Sequence, residues 1–202
     1  MAQITFIIPS IRRPTLQRTI ESLKNQTNPN WKAIVIFDGV DPIISDDSRI
    51  ECMKIEKIGY SNCAGYVRNA GMTHVTTEWI GFVDDDDVIT PNYVECFLSE
   101  KNGNDVIIFR MMYEGYSSKK INIRTQKLEE TATLPPKDSK NFILGKVGIS
   151  FSMKTSLFHE GFQFEPHMYE DFNLLNKIRT ASKKILLSNS ITYIVSSKTM
   201  VT

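Results

Sequence analysis

Four consecutive aspartates, Asp84 to Asp87, follow directly on the apolar run WIGFV that begins at Trp79. Carboxylates crowded at the end of a buried strand raise one another's pKa and weaken the fold unless a cation offsets them. An all-oxygen set suits a hard divalent ion such as Mg2+ or Mn2+, which takes one or two carboxylates and completes its shell with the phosphates of a ligand. In an extended turn Asp84 and Asp86 project to one side, so not all four need touch metal. The alternative is a solvated acidic turn in which Asp87 helps to start the next helix. The missing D-x-D-x-D-G spacing and distal Glu argue against an EF-hand.

A second acidic pair, Glu170-Asp171, opens the segment YEDFNLLNKI. On a helix Asp171 shares a stripe with Leu174, Leu175 and Ile178, so it is either an N-terminal cap or a placed catalytic carboxylate. Three arginines are candidates for anion contacts. Arg12 and Arg13 precede Pro14 at an expected helix start, where a docked anion would make their charge favourable; otherwise both point into solvent. Arg68 lies in SNCAGYVRNAGM, where Gly65 and Gly71 permit close approach of a ligand or a strand; the alternative is a surface helix arginine.

The elements that must position these groups alternate. Apolar runs at 4–8, 33–37 and 79–83 have the character of strands buried on both faces, and 105–112 adds another. Helices are expected from Pro14 through Leu16, Ile20 and Leu23, from Cys63 to about Thr73, from a Thr90 cap to about Glu100, and from about Glu170. Such alternation implies a layered α/β sheet, whose ligands bind beyond the carboxyl ends of the strands. Past Met112 the pattern loosens: half a hairpin at 119–124, a break at Leu134-Pro135-Pro136, and strands expected at 150–153, 184–187 and 191–195.

Composition narrows the class. With 202 residues and 41% hydrophobic content the chain is expected to be a single domain, or one domain of a longer polypeptide. The 24 basic and 23 acidic residues nearly cancel, which argues against a nucleic-acid binder. Cys52, Cys63 and Cys96 are odd in number and lack C-x-x-C spacing, so a reducing, cytoplasmic setting is expected rather than a disulfide framework or a thiolate zinc site. The N-terminal apolar run is too short for a signal peptide or a membrane span.

Taken in order, ITFIIPSIRRP, VIFDG, YVRNAG, WIGFVDDDD and YEDFNLL resemble the inverting GT-A glycosyltransferases, the large family 2-like group of bacterial cell-surface and capsule enzymes. The resemblance covers about residues 3–180. It implies an α/β GT-A domain with a Rossmann-like nucleotide-sugar half over about 1–112, a mainly parallel central sheet flanked by helices, and a smaller mixed acceptor half over about 113–202. It further implies that Asp84 and Asp86 are the D-x-D acids, that Asp86 with Asp84 or Asp87 holds Mn2+ or Mg2+, and that Asp171 is the general base. Pro9, Ser10, Arg13, Asp38, Arg68, Asp84 and Asp85 are the implied donor-binding residues, with Pro9, Asp38 and Arg68 at the nucleoside. The chain departs from the family pattern in two places: Ile11 and Arg12 stand where an aromatic and Asn are common, and Phe37 takes the first of two acidic places.

The expected chemistry is a single inverting displacement. An acceptor hydroxyl attacks the anomeric carbon of a nucleotide sugar, a UDP-hexose being the usual donor, while a carboxylate takes its proton and a cation stabilises the departing diphosphate. GDP-mannose or dTDP-deoxysugars are alternative donors. A glycan or glycoconjugate acceptor is expected to approach between Tyr113 and Tyr169, where Tyr113, Tyr116, Phe162, Phe164 and Tyr169 form either an aromatic platform or core, and His159 and His167 supply at most polar contacts. The competing functions are a sugar-nucleotide nucleotidyltransferase, although PSIRRP lacks the glycines of such a phosphate loop, and a non-catalytic carbohydrate- or nucleotide-binding module.

Overall fold

A computed structural model describes residues 1–60, 63–114, 119–121, 128–130, 133–136, 139–165 and 167–196. In chain order the elements are β1 (Ile4–Ser10), α1 (Leu16–Lys24), β2 (Trp31–Asp38), β3 (Ile50–Ile55), α2 (Gly65–Met72), β4 (Trp79–Phe82), β5 (Val88–Ile89), α3 (Tyr93–Glu100), β6 (Val106–Tyr113), β7 (Lys119–Ile121), β8 (Leu128–Glu130), β9 (Phe151–Lys154), α4 (Thr155–His159), α5 (Glu170–Thr180) and β10 (Ile185–Val195). Eight strands form one sheet in the order β3-β2-β1-β4-β9-β6-β10-β5, and β7 with β8 makes a separate antiparallel hairpin.

The apolar runs become strands because each is covered on both faces. β1 and β4 are buried at every position, and β2 at all but Lys32. β1 pairs in parallel with β2 and β4, β2 with β3, and β6 with β10. Reversal enters through β9, antiparallel to both β4 and β6, and through the short β5 against β10. The chain is therefore an α/β domain with a mostly parallel central sheet, as expected. Since β1, β2, β4, β6 and β10 run the same way, Ser10, Asp38, Asp84, Tyr113 and Ser196 all emerge at one edge, the position where open α/β sheets hold their ligands.

Several boundaries differ from expectation for local reasons. The first strand runs two residues past Ile8, because Pro9 and Ser10 stay in register with Ile36 and Phe37. The segment at 50–55, too polar to stand out as a buried strand, pairs at the sheet margin with β2. The strands expected at 184–187 and 191–195 are one element, carried across a register irregularity between Leu187 and Tyr193. Thr90 does not cap α3: its N–H donates to Thr192 O and its hydroxyl to Asn92 Oδ1, and the helix begins at Tyr93.

The helices cover the sheet through their apolar stripes, Leu16, Ile20 and Leu23 on α1 and Val67 and Met72 on α2. Gly71 lets α2 lie close to β1 and β2, since a Cβ there would come to 3.0 Å from Ile7 Cγ2. Phe82, Phe151 and Phe164 stack edge-on or tilted beneath the strand ends and form the floor on which the polar groups stand. Among the described residues no helix is long and apolar enough to cross a membrane.

Candidate active site

The aspartate run begins two residues after β4 and is held from both sides. Asp85 points inward: Ser10 Oγ donates to its Oδ2 at 2.7 Å and Arg13 Nη1 to its Oδ1 at 2.8 Å. These contacts bridge β1 and β4, where the sheet order reverses direction. Asp87 also points inward, accepting from Tyr193 Oη on Oδ2 at 2.9 Å and from Ser196 N on Oδ1 at 2.9 Å. Thr19 of α1 donates to the Asp87 carbonyl at 2.7 Å. Asp84 and Asp86 are the open pair, their side chains 33% and 43% exposed against 4% for Asp85. Asp84 and Asp86 are thus the more open pair although the run is not extended: it closes as a turn, with Asp87 N donating to Asp84 O at 3.1 Å, and Asp87 anchors that turn instead of starting a helix.

Arg68 is the centre of the second half of the site. It is buried on α2, with Nη2 2.5 Å from Asp84 Oδ1, Nη1 2.5 Å from Glu170 Oε1, and Asp171 Oδ1 3.9 Å from Nη1. The guanidinium lies 5.4 Å from the centre of the Phe164 ring. Burial opposes its charge, yet Asp84, Asp171 and Glu170 together hold it above the ordinary arginine value. It is therefore no surface arginine. Its place between Asp84 and Asp171 joins residues 87 positions apart in sequence.

Glu170 explains how α5 is docked. Its Oε1 accepts from Ala64 N at 3.2 Å and its Oε2 from Gly65 N at 3.0 Å, so it caps the N-terminus of α2 across space. Asp171 makes no capping bond to its own helix, whose preceding residue, Tyr169, is left-handed with φ 105°. Its Oδ1 is buried with no hydrogen-bond partner. Of the two roles open to Asp171, the structure removes the cap.

The electrostatics follow from this crowding. Burial first, and Asp84 and Glu170 after it, push Asp171 up to about 7, against the opposing pull of Arg68. Burial and then Asp84 push Asp87 to about 7 and raise Asp86. Six carboxylates, those of 84–87 and 170–171, thus share two guanidiniums, Arg13 and Arg68. Oxygens of Asp84, Asp86 and Asp87 all lie within 4.8 Å of one another. Their all-carboxylate chemistry and the surplus negative charge fit a hard divalent cation.

The other expected residues separate. Pro9 is buried within β1. Asp38, at the end of β2, spends its carboxylate on Ile58 N at 2.7 Å and Gly59 N at 3.0 Å, fixing the turn beside the cluster. Arg12 is exposed with φ 63°, and its N–H donates to Ser10 Oγ. Phe164 is core and Phe162 packs against it, whereas Tyr113 and Tyr169 are 40% and 50% exposed. Tyr116 lies outside the described residues. His167 contributes its carbonyl, to Glu170 N and Cys63 Sγ. His159 lines a depression of about 500 Å³ at the opposite edge of the sheet, with Glu78 and Lys154. Sequence reasoning missed the roles of Glu170, Tyr193 and Ser196; for Tyr193 the signal was a tyrosine in a strand, whose buried hydroxyl needs a partner.

Comparison with known proteins bears on the family and the fold. The putative glycosyltransferase EpsH of Bacillus subtilis (strain 168) is 34% identical over 104 residues, 47% of this chain and 29% of that protein. The Escherichia coli UDP-Glc:alpha-D-GlcNAc-diphosphoundecaprenol beta-1,3-glucosyltransferase WfgD is 26% identical over 153 residues, 72% of this chain and 56% of that protein. The crystal structure of S. aureus TarS 1-349 in complex with UDP-GlcNAc superposes with a TM-score of 0.71 at 16% identity, covering 97% of this chain and 59% of that one, which establishes a shared fold. The chain spans between 17% and 61% of the length of the curated relatives it matches. Residues 5–162, from the first strand through the aspartate run and past β9, match the family model described as Glycosyl transferase family 2, and the chain belongs to that family.

Proposed function

We propose that the chain is a metal-dependent, inverting glycosyltransferase that moves a sugar from a nucleotide-sugar donor, a UDP-hexose, to a hydroxyl of a glycan or glycoconjugate. The observation that carries this reading is the grouping of Asp84 and Asp171 around one buried guanidinium. One acid faces the open side of a cation-binding run, and the other has a buried oxygen with no hydrogen-bond partner.

Asp84, Asp86 and Asp87 are the residues to hold Mn2+ or Mg2+, which when bound supplies Lewis-acid stabilisation of the charge gathering on the diphosphate. Asp171 accepts the proton of the attacking hydroxyl. A carboxylate raised to about 7 is a far better base near neutral pH than an ordinary one. Arg68 holds Asp84 and Glu170 in place and keeps Asp171 from being pushed higher still. Arg13 offsets Asp85 and Asp86, while Ser10, Pro9 and the turn fixed by Asp38 shape the side on which the nucleoside is to lie. A single displacement needs no enzyme nucleophile, so one base on the acceptor side suffices.

The UDP-hexose assignment is supported by the donor in the WfgD name and by the ligand in the TarS complex. A glycoconjugate acceptor is supported by the acceptor in the WfgD name, and the exposed rings of Tyr113 and Tyr169 offer faces for a sugar. Three unpaired cysteines support a reducing, cytoplasmic setting.

Incubation with Mn2+ and a panel of nucleotide sugars tests the reading. Release of nucleoside diphosphate from one donor is expected, together with loss of transfer but retention of donor binding in Asp171→Asn. Pyrophosphate release would mark a nucleotidyltransferase, binding without turnover a non-catalytic module, and full transfer by Asp171→Asn would remove the base assignment.

A further inference from the structure

We infer that Tyr193 is a positioning residue for the aspartate run, setting the spacing of Asp84 and Asp87 through one buried hydroxyl. The proposal rests on the donor-site reading above and adds to it a residue outside the stretch matched to the family. Tyr193 is fully buried on β10. Its oxygen accepts from the Asp84 backbone N–H at 3.1 Å and its hydroxyl proton goes to Asp87 Oδ2 at 2.9 Å. One atom therefore spans the run from its first aspartate to its last.

Thr192 on β10 and Ser196 just after it repeat the arrangement. Ser196 N donates to Asp87 Oδ1, and Thr192 O accepts from Thr90 N immediately beyond β5. Tyr193 and Ile194 pair with Ile89 and Val88. The run is thus clamped between the end of β4 and the end of β10. Its own turn contributes one further bond, from Asp87 N to Asp84 O at 3.1 Å. With both Asp87 oxygens already engaged, by Tyr193 of β10 and by Ser196 just after it, the direction of that carboxylate is fixed before any ligand arrives. Groups that orient metal ligands in this way are ones whose loss typically costs about 10- to 100-fold in metal affinity or activity.

A merely structural tyrosine would leave cation binding alone, and the fold contains one for comparison. Tyr93 is equally buried, with its hydroxyl 2.9 Å from Ser152 Oγ, away from the run. The test is titration of the 202-residue chain with Mn2+ in the presence of UDP, followed by electron paramagnetic resonance of the free ion, with thermal melting of each variant alongside. Tyr193→Phe is expected to weaken apparent Mn2+ affinity by about 10-fold, whereas Tyr93→Phe stays within about two-fold of wild type. If Tyr193→Phe shows no cooperative melt, Ser196→Pro, which deletes the other bond to the same carboxylate, carries the same expectation, with Ser196→Ala, which keeps the N–H, as its control. Mn2+ affinity unchanged in Tyr193→Phe, or lowered equally in Tyr93→Phe, overturns the positioning role while leaving the donor site standing. Absence of Mn2+ and UDP binding in the wild type overturns the donor-site reading, and this proposal with it.

Discussion

Burial alternates along the four aspartates, and the alternation assigns opposite consequences to neighbouring substitutions. Asp85 is buried against Ser10 and Arg13, so Asp85→Asn is expected to cost about 1–2 kcal/mol in denaturant unfolding, a modest figure because Arg13 is half exposed. Asp86 is different, because burial and Asp84 make its charge unfavourable in the metal-free protein. Asp86→Asn should therefore raise the melting temperature without metal and remove the stimulation of sugar transfer by Mn2+. If Asp86→Asn instead melted lower and kept its metal dependence, the open face of the run would be misassigned. At Asp171 the expected change is kinetic: loss of a general base typically costs 10²- to 10⁴-fold, so kcat of Asp171→Asn should fall by about that factor while donor KM stays near wild type.

The site depends on helix and strand ends being brought to one edge, and α2 shows how tightly. A methyl at Gly65 would meet the Glu170 carboxylate and come to 2.7 Å from Phe164 Cβ. Gly65→Ala is therefore expected to lose about 1–3 kcal/mol by overpacking. It should also lower kcat, by lifting Glu170 from the α2 N-terminus and moving Asp171 with it; unchanged stability and kcat would show that α5 docks by other means. At this scale the buried strands and the helical stripes were legible, because apolar period and run length are local properties. The edge strand β3 was not, since its sequence ECMK alternates too little to stand apart from a loop. Nor was the joining of 185–195 into one strand, which is decided by pairing with β6 across a bulge and leaves little trace in local sequence.

For the molecule as a whole, the acids proposed to do the chemistry are also a source of strain in the folded state. Asp87 and Asp171 keep their protons up to about 7 when folded, against an ordinary 3.8. Between those values the native state binds more protons than the unfolded one. The stability this confers is complete below about 4 and lost as pH rises through about 7. The metal-free protein should therefore melt at progressively lower temperature from pH 4.5 to 7.5, roughly the interval set by this linkage, and Mn2+ with UDP should reverse the fall. A melting temperature that rises steadily across that interval would show that the acids are better compensated than the geometry indicates. The types of the site residues and their order along the chain could be read from sequence, but their convergence could not. Arg68 meets Asp84 and Glu170, and Tyr193 meets Asp87, only through contacts spanning 16 to 106 positions, which the sheet order creates. The central claim is that Asp84 and Asp86 present a cation to a diphosphate while Asp171 faces the sugar. The most direct measurement is a crystal structure of Asp171→Asn with Mn2+ and an intact UDP-hexose, read by anomalous difference density. The account predicts a manganese peak against the carboxylates of the run, with the anomeric carbon turned toward position 171. A peak elsewhere, or a donor whose sugar points away from that position, would contradict it.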